Sequence, residues 1–163
     1  MARIYTPDVG LHGPPHRVAR VVYARRGAPG LRLFCRPGVP RQARSALVPF
    51  ARWLRYRVRF RHHVPVEVVP EACIATDDGL AWAAFYEPAA PGDCPRIYVA
   101  GGSVVAFRRV HGWTTQRALR ALRVDLAHEV VHYEQWRDGR DLTERGVDMR
   151  ARRLVREYEA WAA

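Results

Sequence analysis

The longest unbroken helical period in the chain runs from Thr115 to Arg137, and it limits what the rest can become. Leu119, Leu122, Leu126, Val130 and Tyr133 recur three and four apart, so this helix offers a core one continuous apolar stripe. Thr114 or Thr115 can cap its start, and Asp138-Gly139-Arg140-Asp141 breaks it. Well inside the helix stand His128, Glu129 and His132. Polar groups drawn this close to a buried face need partners, because desolvation without compensation is costly.

His128-Glu129-Val130-Val131-His132 has the form H-E-x-x-H. Residues four apart share a helix face, so both imidazoles can reach one metal ion. Glu129 sits beside that face, where it can hold a metal-bound water without having to ligate. Zinc with an open position lowers the pKa of such a water, and the glutamate takes its proton during attack on a carbonyl. The expected metal is therefore Zn2+ on His128 and His132, with Glu129 as the catalytic base.

A third protein ligand is needed. No histidine follows His132, and the Gly and His that a metzincin places next are here Gln135 and Asp138. A downstream histidine of the SprT-like kind is missing as well, which leaves a carboxylate. The next helix, read as capped by Thr143, offers Glu144-Arg145-Gly146-Val147-Asp148. Four apart on one face, Glu144 can ligate while Asp148 accepts a hydrogen bond from a ligating imidazole and fixes its tautomer. Glu157 and Glu159 lie farther along, ~20 Å at 1.5 Å per residue.

Around this pair of helices the chain is mixed. Residues 1 to 40 are rich in Pro, Gly and Arg and read as a segment packed on or flanking a core domain of residues 41–163. Val18 to Tyr23 and Leu31 to Cys35, separated by Gly27-Ala28-Pro29-Gly30, read as a hairpin or a pair of edge strands. From Arg41 to Phe60, Leu47, Phe50, Ala51, Leu54 and Val58 share a helical face, with Pro49 marking a kink or a start. Val64 to Pro70, Gly79 to Glu87 and Arg96 to Ala100 read as three strands. In the last helix Val147, Ala151, Leu154, Val155 and Tyr158 face inward. The fold class expected is α+β: an N-terminal helix, a short three-stranded sheet, the H-E-x-x-H helix and a C-terminal glutamate-bearing helix.

Charge and cysteine content narrow the function further. The net charge is +11, and all 27 basic residues are Arg, with no Lys in the chain. A P-loop lysine, a lysine Schiff base and a lysine general base are thereby excluded. Arg44, Arg52, Arg55 and Arg59 stripe one face of the first helix, either as its solvated side or as a phosphate-binding track flanked by Trp53, Tyr56 and Phe60. Cys35, Cys73 and Cys94 are odd in number and widely spaced, which fits neither a disulfide framework nor a zinc ribbon. With no apolar run of membrane-spanning length and no leader-like start, the expected compartment is the cytoplasm.

H-E-x-x-H on one helix followed by E-x-x-x-D on the next resembles the gluzincin metallopeptidases. The compact form is similar to the single-domain minigluzincins and the ImmA/IrrE-like peptidases. The resemblance covers residues 64 to 161 in architecture and is specific at the motif positions His128, Glu129, His132, Glu144 and Asp148. It implies a zincin-like domain hydrolysing a peptide or protein substrate. It also implies that an edge strand, Gly79 to Glu87 or Arg96 to Ala100, binds the substrate backbone antiparallel. The connection from His132 to Glu144 is shorter than in larger gluzincins. No motif marks the oxyanion-stabilising residue, for which His111, Tyr133 and the arginines are candidates. The competing expectation is a metal-stabilised basic module that binds nucleic acid or an acidic protein.

Overall fold

A computed structural model of the chain describes residues 14–18 and 27–163 in full and the backbone of residues 2–4. Within them the strands are β1 (Ala2–Ile4), β2 (His16–Arg17), β3 (Gly30–Cys35), β4 (His63–Val69), β5 (Ile74–Thr76), β6 (Gly79–Tyr86) and β7 (Arg96–Ala100). The helices are α1 (Arg41–Arg57), α2 (Ser103–His111), α3 (Thr115–Arg137) and α4 (Val147–Ala162). No helix of the described residues is long and apolar enough to cross a membrane.

All the strands join one sheet. It is seven-stranded, with the hydrogen-bonded succession β2-β5-β6-β7-β4-β3 and β1 attached to β6. The α+β class is as expected, but the three-stranded sheet is not. The run Leu31 to Cys35 is an edge strand among the described residues, as one of its two readings expected: as β3 it pairs parallel with β4, Leu31 opposite Val64 and Cys35 opposite Val68. Parallel neighbours need a crossover, and α1 supplies it between them. Most of Val18 to Tyr23 lies outside the described residues. Pro65 is inside β4 rather than at its border, at a position where β7 has not yet begun to pair, so its missing N–H costs no rung on that side.

The helices cover one face of the sheet. Leu47, Phe50 and Leu54 of α1, Val64, Val66 and Val68 of β4, Leu122, Leu126 and Val130 of α3, and Leu154 and Val155 of α4 form one continuous core. Pro49 stands within α1, exposed, and the helix continues through it. Thr114 is the cap of α3, its Oγ1 accepting from the Arg117 N–H at 3.2 Å. α2 was not expected. It comes directly after Gly101-Gly102, where a Cβ at Gly102 would collide with the backbone of Pro70 and Glu71, so the turn out of β7 needs glycine.

One correction bears on the site. The last helix begins at Val147 after Gly146, whose φ of 76° is left-handed, so Thr143 does not cap it. Glu144 therefore belongs to the loop between α3 and α4, not to a glutamate-bearing helix. A helix cannot run through a left-handed residue, and the Val147 N–H closes a turn onto the Glu144 carbonyl at 3.2 Å.

A candidate metal centre between α3 and the loop before α4

The middle of α3 is buried all round, which is why it can hold histidines rigidly: His128 and His132 are both within the core. Their Nε2 atoms converge to 3.1 Å. Glu144 meets the same point from the loop, its Oε2 at 3.1 Å from His128 Nε2 and its Oε1 at 3.3 Å from His132 Nε2. Tetrahedral ligands ~2.0–2.1 Å from a zinc lie about 3.3–3.4 Å from one another, so the triangle has the dimensions of three corners of a tetrahedral shell. His128, His132 and Glu144 can hold a metal ion together.

The outer ring nitrogens explain how the imidazoles are set. His128 Nδ1 lies 3.1 Å from Asp148 Oδ1, in the first turn of α4. His132 Nδ1 lies 2.9 Å from Gln135 Oε1, whose amide nitrogen in turn donates to the Thr143 carbonyl at 3.0 Å. Both acceptors are oxygens, so in the neutral rings Nδ1 carries the hydrogen and both Nε2 present lone pairs inward. Two lone pairs and a carboxylate face one another across little more than 3 Å, a repulsive arrangement that a cation relieves.

Glu129 stands beside the group, completely buried, and among the described residues neither carboxylate oxygen closes a hydrogen bond. Burial holds its pKa far above the usual carboxylate range; the nearby Asp125 and Glu144 charges push the same way, while the backbone N–H of Phe85 in β6 turns toward it and pulls slightly back. Glu129 is thus a buried acid next in the chain to His128, and its ionisation depends on the charge beside it.

The site closes through contacts that α3 makes with the loop and helix after it. The Arg150 guanidinium spans both oxygens of Glu134 at 2.7 and 2.8 Å, pinning the start of α4 against α3. Gln135 then ties the end of α3 to the intervening loop. The structure thus brings together His128, Glu129, His132, Glu144 and Asp148. The rival carboxylates are engaged elsewhere: Glu157 with Arg57 and Arg153, Glu159 with Arg120. The Tyr133 hydroxyl accepts from the Arg61 N–H at 2.9 Å and touches His62 Nδ1 at 3.1 Å, so it is committed to the β4 entry. Gln135 was missed from the sequence. Its only trace there is a position three residues after His132, on the same helix face and next to the chain break.

No protein family, curated protein or solved structure matches the chain.

Proposed function

We propose that the chain is a zinc-dependent hydrolase acting on peptide bonds, with the metal held by His128, His132 and Glu144 and with Glu129 as general base. The observation that carries this reading is the convergence of three lone-pair groups beside a fully buried glutamate. Two imidazoles and one carboxylate are a donor set that suits zinc better than magnesium or calcium, which favour all-oxygen shells. Held by His128, His132 and Glu144, zinc would supply Lewis acidity to the reacting carbonyl and water.

The chain's own residues do the rest. Asp148 and Gln135 hold the two rings by Nδ1, so the inward nitrogens need no reorientation before they ligate. Glu129 accepts the proton of an attacking water and passes it to the departing amine, and the charge of a bound metal would favour the ionised carboxylate this requires. The Phe85 backbone beside Glu129 belongs to β6, and a strand running past the base is where an extended peptide backbone can pair.

Metal analysis and turnover test the reading together. Wild type should carry about one zinc per chain, and a His128→Ala, His132→Ala variant should carry little. Glu129→Gln should keep its zinc and lose ~10²–10⁴ in peptide hydrolysis. A Glu129→Gln protein that cleaves as fast as wild type would remove the proposed mechanism.

A further inference from the structure

The strand next to the candidate base is already paired. β1 runs antiparallel along β6, with Ala2 opposite Ala84 and Ile4 opposite Ala81. Ala84 also faces Tyr98 of β7, and Ala81 also faces Ile74 of β5. A strand has two edges, so β1 occupies the edge of β6 opposite to both β5 and β7. Among the described residues, β1 is the strand that pairs on this side of β6. Three residues of β1 (Ala2–Ile4) lie along four of β6 (81–84), so the pairing passes over an irregularity that sharpens the local twist.

This edge is the one that matters for chemistry. Ala84 precedes Phe85, whose N–H turns toward the Glu129 carboxylate. An unpaired strand edge presents a row of backbone donors and acceptors that captures extended chain. A segment of the same polypeptide captures it with an effective concentration on the order of mM, far above that of any free peptide at micromolar levels.

We infer that residues Ala2–Ile4 act as an intramolecular occluding strand, holding on β6 the place that an extended peptide must take beside Glu129. The inference rests on the peptide-hydrolase reading for its meaning and on the strand register for its evidence. Access to the metal centre is then gated by the release of this segment. A peptide binds only to the fraction of molecules in which β1 has left β6, so its apparent affinity falls by that fraction.

The test separates the occlusion from the catalysis by measuring binding, not turnover. The probe is a fluorescent peptide with the sequence of residues 1–8, presented to zinc-loaded Glu129→Gln protein, which cannot consume it. Deleting residues 1–13 should tighten probe binding at least ~10-fold over the full chain, as expected when an intramolecular competitor is removed. In the full chain, Ala2→Cys with Ala84→Cys should form a disulfide on mild oxidation, as facing strand positions allow. That locked protein should lose its residual probe binding and regain it on reduction, while the parent protein with its three native cysteines is unaffected. Equal probe affinity in the full, locked and shortened chains, or failure of the cysteine pair to bridge, overturns the inference. The lock test does not depend on the shortened chain folding. Hydrolysis by wild type with equal affinities would leave the enzyme reading standing and the occlusion refuted. Occlusion without any hydrolysis would do the reverse.

Discussion

His132 reaches Gln135 at 2.9 Å through its Nδ1, and through that amide it reaches the loop carrying Glu144, the third side chain of the candidate metal group. One residue therefore fixes a ring tautomer and anchors the connection that delivers Glu144. Replacing Gln135 with Ala should weaken zinc by ~10–100-fold, the usual cost of losing such a partner. A competition titration against a chelator measures it. An unchanged affinity would mean that the ring is held by its packing alone.

Asp148 plays the matching part for His128, at 3.1 Å, but from a half-exposed position in the first turn of α4. Asp148→Asn keeps an acceptor oxygen and should retain most zinc affinity, whereas Asp148→Ala should lose ~10-fold or more. The Ala/Asn difference is the diagnostic quantity. If both variants behave alike, the carboxylate acts only through its charge.

Much of this site could be read from the chain because α3 advertises itself: a long 3.6-residue period, a Thr114 cap and two histidines four apart need no tertiary information. α1 and the inward faces of α4 were legible for the same reason. The misses share a different cause. β3 pairs with β4 across the whole length of α1, and a parallel partner leaves no local mark in either strand. β5 is only three residues long, and α2 starts at a Gly-Gly pair that looks like punctuation. Glu144 was placed on a helix because Glu and Asp four apart fit a helical face, but Gly146 between them turns left-handed. Gln135, uncharged, carries no signature beyond its spacing.

Gly146 gives the third prediction. A Cβ there would meet nothing within 4 Å, so the cost of Gly146→Ala is purely conformational, ~1–2 kcal/mol for holding an L-residue at φ 76°. Thermal unfolding of the metal-free protein should register that loss. Zinc affinity should fall as well, because Glu144 depends on the same turn. A drop in stability with zinc affinity intact would separate the turn from the ligand.

The fourth concerns Glu129 in metal-free protein. Burial raises its pKa, whereas the unfolded chain ionises it near ~4.3. Between those two values the folded state binds the proton more tightly. Stability contributed by the protonated form is complete at low pH and is lost as pH rises from the unfolded value toward the folded one. Glu129→Gln has no proton to lose and should be the more stable protein at neutral pH, by ~1–3 kcal/mol, with the gap closing near pH 4. Denaturant midpoints at two pH values decide it, and a gap that does not change with pH would rule out a buried, protonated Glu129.

The two imidazoles belong to the most deeply packed helix of the domain, while Glu144 is about half exposed on a loop bounded by the left-handed Gly139 and Gly146. The two halves of the centre thus differ in burial, and the loop is expected to open more readily than the core helix. A metal held there is expected to leave through the half-exposed Glu144 side, so that its release follows the opening of that short loop. With rising chelator concentration the release rate should climb and then level off, and the plateau is the opening rate of residues 138–146 itself. A plateau of that kind would set the lifetime of the loaded protein by nine mostly exposed residues and not by the strength of its nitrogen ligands.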